Sequence, residues 1–258
     1  MSLQSVPTSA PVMPGRAAIP VFDDDHQVEE RLPFTVRLVK TEKELLKAVQ
    51  IRQEAYARHM PDVAQNLGRP EAIDTEDGVG VLLAESKIDG SPLGSVRIQT
   101  NQFKPLALEK SVDLPDWMRG LSLAQVSRFG VVHGTVGRLV KMVLVKGCLQ
   151  YSQEHEIDWD VIAARPPLDK MYRQLTYQDL FPEAGLIPLA HMGNVPHRIM
   201  GFEVATCEAR LTAMGHPLLD FFCHTRHPDL DVVGAHMPWG YPAAPVHRVL
   251  EDVLHSGR

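Results

Sequence analysis

The sequence predicts an α/β chain of the α+β kind. Three stretches carry that prediction. Leu123 to Val132 is an apolar run interrupted by Gln125, Ser127 and Arg128. It passes through the turn His133-Gly134-Thr135-Val136-Gly137 into an amphipathic run reaching His155, the pattern of strand, turn and helix. Phe34 to Val39 alternates as a strand does, and Thr41-Glu42-Lys43-Glu44 then has the form of a capping box, so a helix begins there and runs to about Arg58. Val79 to Ala84 and Leu93 to Thr100 flank the turn Asp89-Gly90, a strand and its return.

At 258 residues and 44% hydrophobic content, the chain can bury one large core. A net charge of -6 with no long basic run speaks against nucleic acid as a partner. Cys148, Cys207 and Cys223 cannot all pair, and their spacing fits no common zinc pattern. No apolar signal core follows Met1 and no run is long enough to span a bilayer, so the expectation is a reduced, cytoplasmic protein without an integral membrane segment. Residues 1–32, with Pro7, Pro11, Pro14 and Pro20 and the acidic patch Asp23 to Asp25, read as a flexible Pro-rich tail. The core is expected over 33–208, and 209–258 as a helical and Pro-rich extension packing on it.

The first helix has the apolar face Leu45, Ala48, Val49 and Tyr56, and Arg52 falls on that same face. Such an Arg either snorkels to the helix edge or finds buried carboxylates and pins a loop near a site. Residues 59–78 form a long loop with Pro61, Gly68, Pro70 and Gly78, and contain Asp74 and Asp77. These two carboxylates bind a metal or an ammonium, or are plain surface residues. On the strand Leu93 to Thr100, Ser95, Arg97 and Gln99 share one face, so Arg97 either meets solvent or lines a cleft.

Residues 101–120 are irregular, with Pro105 and Pro115. On the next strand, Gln125 and Arg128 reach one cleft only through a bulge, because side chains alternate. The turn after it aims backbone N–H groups at an anion, with Arg138 and Lys141 adding charge; the alternative is that Arg138, Lys141 and Lys146 are simply solvated surface residues. Asp158 to Ala164 reads as a further strand, followed by Arg165-Pro166-Pro167 and a helix bearing Met171, Tyr172 and Leu175. Phe202 to Cys207 is a late strand, and Ala209 to Phe222 a helix interrupted at Gly215-His216-Pro217. Cys223-His224-Thr225-Arg226-His227 with His236 matches no standard metal spacing and reads as a polar loop. Pro238 to Pro245 and a short final helix read as an arm packing on the core or on a second subunit, as in a homodimer.

Four of these pieces stand in a telling order: Arg52; Asp74-Thr75-Glu76-Asp77; Gly94-Ser95-Val96-Arg97-Ile98-Gln99-Thr100; and Gln125-Val126-Ser127-Arg128-Phe129. Together they resemble the acyl-homoserine lactone (autoinducer) synthases and the related long-chain N-acyl amino acid synthases of the GNAT acyltransferase superfamily, over roughly Phe34 to Cys207. That pattern has an Arg on the first helix, Asp-x-x-Asp, a Gly-x-x-Arg strand ending near a Thr, and Glu-x-x-Arg on the central strand. The chain departs from it at Gln125, since an amide accepts no proton at neutral pH. It departs again at Thr176-Tyr177, where a Gly-Phe pair is usual.

The resemblance implies a GNAT-like mixed central sheet with helices on both faces, whose central strand is bulged and splayed to admit a pantetheine arm. It implies an N-acyltransferase that moves a long-chain fatty acyl group from a phosphopantetheine thioester to the amine of an amino acid or similar small acceptor. Acyl carrier protein is the expected donor and partner, with acyl-coenzyme A the other co-substrate, and neither a permanent cofactor nor a metal is expected. Gln125, Arg128, Arg97 and, as a substitute base, His133 are the catalytic candidates. Arg52, Asp74, Asp77, Phe129, Val131 and Tyr172 are the substrate-binding candidates, Tyr172 standing where a general acid for the thiolate is common. Gly134, Gly137, Arg138 and Lys141 are the candidates for the phosphate of pantetheine. Alternatives are an autoinducer synthase using S-adenosylmethionine and an inactive GNAT-fold ligand-binding module.

Overall fold

The computed structural model describes residues 28–232. The tail up to residue 27, His236, the Pro238 to Pro245 segment and the final helix lie outside the described residues. In chain order the elements are β1 (Val28–Glu29), β2 (Phe34–Leu38), α1 (Glu42–Ala57), α2 (Pro61–Gln65), β3 (Val79–Ser86), β4 (Pro92–Thr100), β5 (Leu123–Val131), α3 (Gly134–Glu154) and β6 (Trp159–Ala164). They continue with α4 (Leu168–Gln174), β7 (Gln178–Asp179), β8 (Ile187–Leu189), β9 (Val195–Glu203), α5 (Cys207–Ala213), β10 (Thr225–Arg226) and β11 (Leu230–Asp231).

Among the described residues the main sheet runs β11-β2-β3-β4-β5-β6-β9-β7, with β8 also on β9. Its β11–β2 and β5–β6 neighbours are parallel and the others antiparallel. The capping box starts α1 as expected: Thr41 Oγ1 accepts from the Glu44 amide at 3.3 Å, and Glu44 Oε2 accepts from the Thr41 amide at 3.1 Å. Helix α1 packs on β3, β4 and β5 from one side, while α3 packs on β2 to β5 from the other. Buried Leu45, Ala48 and Val49 meet Val81 and Leu83 under α1, and a larger core lies between the sheet and α3. A separate cluster holds the irregular 101–120 segment to the sheet through Leu106, Leu108 and Met118.

The feature that makes a site is the parting of β5 from β6. The two pair only over Leu123–Val126 against Trp159–Ile162. Beyond that, β6 stays on β9 through Ala163 and Ala164, while β5 follows β4 as far as Val131. Among the described residues, 127–131 therefore have no strand on their β6 side.

The C-terminal part follows expectation at its helix break and departs from it in the sheets. The helix expected over Ala209 to Phe222 is α5 followed by a separate single turn at Asp220–His224, because the Gly215-His216-Pro217 break takes effect. Residues after 208 also enter the sheets, as β10 beside β1 and β11 beside β2. Lys146 ties this segment to α3. Its buried ammonium donates to the Phe221 carbonyl at 2.6 Å and to the Thr225 carbonyl, and lies 3.1 Å from His227 Nδ1. Burial pulls its pKa down to about 8. Lys146 thus belongs to the core and not to the basic surface that its neighbours Arg138 and Lys141 suggested.

A second buried polar pair joins α3 to β6: Ser152 Oγ donates to Asp160 Oδ1 at 2.6 Å. Burial raises the Asp160 pKa to about 7. A carboxyl that stays protonated in the folded state adds stability below its unfolded pKa and loses it as pH rises through about 7. Asp160→Asn is therefore expected to remove a loss on the order of 2–3 kcal/mol between pH 5 and pH 8. Urea midpoints of both proteins across that range check it, and parallel curves would refute the shift.

Candidate active site

The site begins with a bulge. Ser95 pairs with Gly130 and Arg97 with Ser127, so Arg128 and Phe129 together oppose Val96. Arg128 takes φ 54, a left-handed conformation that a residue with a side chain adopts only when its surroundings hold it there. The extra residue turns Arg128 onto the face already occupied by Gln125, Ser127 and Arg97, as their joint use of one cleft required.

On that face, beneath α1, three guanidiniums meet two carboxylates. Arg52, fully buried, grips Asp74 with both ends, Nη1 to Oδ2 at 3.0 Å and Nη2 to Oδ1 at 3.1 Å. Arg97 Nη1 donates to Asp74 Oδ1 at 3.1 Å and to Glu71 Oε2 at 2.9 Å, and its Nε reaches Ser127 Oγ at 3.4 Å. Arg128 forms a fork on Glu71, Nε to Oε2 and Nη2 to Oε1, both at 2.7 Å. Its remaining Nη1 meets the Met192 sulfur at 2.8 Å, a weak acceptor. Partial burial pushes the Glu71 pKa up, but the Arg128 fork and the Arg97 and Arg52 charges prevail and hold it at about 2. The cluster carries one surplus positive charge.

Several expected residues are elsewhere. Asp77 is exposed and outside the cluster, and Glu71 takes the place assigned to it. Glu71-x-x-Asp74 has the same spacing as Asp74-x-x-Asp77, so the signal was present, but Glu71 follows Pro70 in a segment without periodicity. Gln125 is buried, and its side-chain carbonyl accepts from the Leu108 amide at 2.9 Å. Gln99 does the same for the Ala107 amide at 3.0 Å and donates to the Pro105 carbonyl at 3.1 Å. These two amides fasten the loop over the sheet; Gln125 does not offer its carbonyl to the cleft. His133 is exposed at the N-cap of α3, on the turn beyond the end of β5, whereas Gln125 is buried within that strand.

Phe129 and Val131 send half-buried side chains to the opposite, α3 side of the sheet. Tyr172 is half-buried on that side too, edge-on to Tyr177 with centroids 5.2 Å apart. Burial pushes its phenol pKa up, so it keeps its proton. Nearby lies a small cavity of about 20 Å³, walled by Val145, Leu149, Leu175, Phe202 and Phe222, with Asp160 as its charged-type group.

At the end of β5 the chain turns into α3. Gly134 has φ 92, and at Gly137 a Cβ would stand 1.8 Å from the Val132 carbonyl oxygen, so only glycine fits. His133 places no side-chain cap on α3, which leaves its first N–H groups open to an anion. Arg138 is exposed, donating to Thr135 Oγ1 at 3.0 Å, and Lys141 is half-exposed one turn on. Val136 and Leu139 are exposed on the same turns. His224, from the segment considered for a metal, bridges Asp220 and Glu208 at 2.9 Å each, while His227 faces Lys146. Among the described residues no three His, Cys, Asp or Glu side chains are placed to hold a metal, and no helix is long and apolar enough to cross a membrane.

No family model matches the sequence, and no curated protein matches it. Solved structures do match. FeeM, an N-acyl amino acid synthase from uncultured soil microbes, aligns with a TM-score of 0.54 at 19% identity, over 70% of this chain and 96% of FeeM. BjaI, a coenzyme A-dependent acyl-homoserine lactone synthase solved with SAM and isopentyl-CoA, aligns with a TM-score of 0.50 at 13% identity, over 75% of this chain and 93% of BjaI. The chain shares their fold, and its own mixed sheet opens beside the central strand, as the motifs implied.

Proposed function

We propose that the protein is an N-acyltransferase that moves an acyl group from a phosphopantetheine thioester to a small amine. The observation that carries this reading is the parting of β5 from β6, with the buried arginine cluster on one face of β5 and apolar side chains on the other. A thioester arm lying in the gap places its carbonyl beside the unpaired edge of residues 127–131, whose N–H groups stabilise the developing oxyanion. The acceptor nitrogen attacks from the arginine side, the C–N bond forms as the C–S bond breaks, and Tyr172 supplies a proton to the departing thiolate. Arg97 and Arg128 position the acceptor, while Arg52 and Asp74 brace the loop that bears Glu71. The acyl chain extends toward the cavity beside Phe202 and Phe222.

The open N-terminus of α3, with Gly134, Gly137, Arg138 and Lys141, suits the single phosphate of a carrier-bound pantetheine. Exposed Val136 and Leu139 beside Arg138 fit an acidic acyl carrier protein, which a local basic patch can meet despite the overall charge of -6. The likeness of fold to a coenzyme A-dependent synthase supports coenzyme A as the other donor.

Mass spectrometry of lipid extracts from cells expressing the protein is the test. A fatty-acyl amide is expected from the wild type, and about 100-fold less from Arg128→Ala and from Arg97→Ala, since each removes a charged positioning contact. Undiminished product from both variants would overturn the assignment of the cleft.

A further inference from the structure

The three free cysteines are not equivalent in the fold. Cys207 opens α5 within the larger apolar core, and Cys223, half-buried, packs against that core from the single turn Asp220–His224. The residues next to them hold the two segments together, since His224 Nε2 lies 2.9 Å from Glu208 Oε1. The thiols themselves meet, with Cys207 donating its S–H to Cys223 Sγ. Lys146 of α3 donates to the Phe221 and Thr225 carbonyls, two residues before and two after Cys223, so an ammonium sits inside the same turn. Among the described residues, Cys223 therefore faces Cys207 and Glu208 from α5, Lys146 from α3 and His224 from its own turn. The Cys207 hydrogen bond lowers the Cys223 pKa, and His224 and Lys146 add to it against burial and Glu208. The same bond, with burial, pushes Cys207 up. Cys148 is buried on α3, and burial lifts its thiol well above the ordinary range.

A partly exposed thiol with cations beside it, touching a second thiol, is the arrangement of an attacking and a resolving cysteine. We propose that Cys207 and Cys223 form a reversible disulfide in exchange with a small oxidised disulfide of the glutathione type. The Cys223 thiolate attacks one sulfur of the oxidant, whose S–S bond breaks and releases a thiolate. That thiolate takes the proton of Cys207 as Cys207 Sγ attacks Cys223 Sγ. The mixed disulfide breaks and the second thiol leaves. Two electrons and two protons pass from the protein to the oxidant, giving one protein disulfide and two small thiols. The bond staples α5 to the 220–224 turn. Cys207 and Phe222 both wall the small cavity beside Tyr177, so oxidation ties two of its walls together. This inference goes beyond the acyl-transfer reading and does not depend on it.

The full chain, reduced and native, is incubated with oxidised glutathione, quenched in acid, alkylated in urea and mapped by mass spectrometry. A bond between the Cys207 and Cys223 peptides is expected, with the loss of two hydrogens, Cys148 alkylated and no glutathione retained. Dithiothreitol is expected to reverse it. Cys207→Ser is expected to keep glutathione on Cys223, because nothing resolves the mixed disulfide, and Cys223→Ser to take up at least about tenfold less glutathione. Alkylation of the native wild type reads the same order without a variant: Cys223 is expected to react with iodoacetamide about tenfold faster than Cys207 or Cys148. A glutathione adduct that persists on wild-type Cys223, a bond involving Cys148, or a native protein in which Cys223 does not react would overturn the pairing.

Discussion

Glu71→Gln is expected to unfold at lower urea and to lose about 100-fold in turnover, the larger part of it through misplaced Arg128. Glu71 is the only carboxylate that Arg128 touches among the described residues, and it also neutralises Arg97 and part of Arg52, which it meets at 3.5 Å. Its removal leaves three buried guanidiniums facing Asp74 alone. Breaking a fully buried pair costs about 3–5 kcal/mol, and Glu71 keeps 26% of its side chain exposed, so about 2 kcal/mol is expected. The pH dependence should change with it. A carboxylate held at about 2 contributes stability that is present above its unfolded pKa and lost as pH falls through about 2. Wild type keeps this contribution at pH 5, and the variant lacks it. Adding Arg128→Met to Glu71→Gln removes the uncompensated charge, so stability returns while turnover does not. If the double variant is no more stable than the single one, the two side chains are not coupled as the geometry requires.

Gly137→Ala carries the other large effect. A methyl group there collides with the Val132 carbonyl, which is backbone and has no rotamer to yield, so the turn between β5 and α3 must open. The expected cost is about 3 kcal/mol, at the upper end for overpacking. Gly134→Ala is the control: its φ of 92 penalises a side chain, but nothing stands within 4 Å, so about 1–2 kcal/mol is expected. Because the turn presents the N–H groups of α3, Gly137→Ala should also raise the KM for a coenzyme A thioester more than Gly134→Ala does. Equal melting of the two variants would contradict the close approach at Val132.

These variants mark how far the sequence could be read. The capping box at Thr41, the β3–β4 hairpin and the strand–turn–helix unit of β5 and α3 were legible because each is a local pattern of caps, turns and periodicity. Arg52 was legible as a cation on the apolar face of its own helix, snorkelling or buried, and the structure buries it. The need for a bulge followed from Gln125 and Arg128 standing three apart on one strand. What stayed hidden depends on partners far away in sequence. Gln125 looked like a departure at a catalytic position, yet its amide is consumed by Leu108, 17 residues back. Lys146 looked like surface charge, but its ammonium lies beneath carbonyls 75 and 79 residues further on.

The sequence by itself determined the elements, their order and the polar residues that must find partners, because propensity, capping and alternation act over a few residues. Tertiary structure alone decided that Glu71 and not Asp77 completes the cluster, that His133 stands clear of it, and that three arginines share one face with two carboxylates. Those outcomes follow from the bulge at Arg128 and from the line along which β5 leaves β6. A rotation or a parting of that kind moves every charge on the strand at once, and no local pattern records where each will stop.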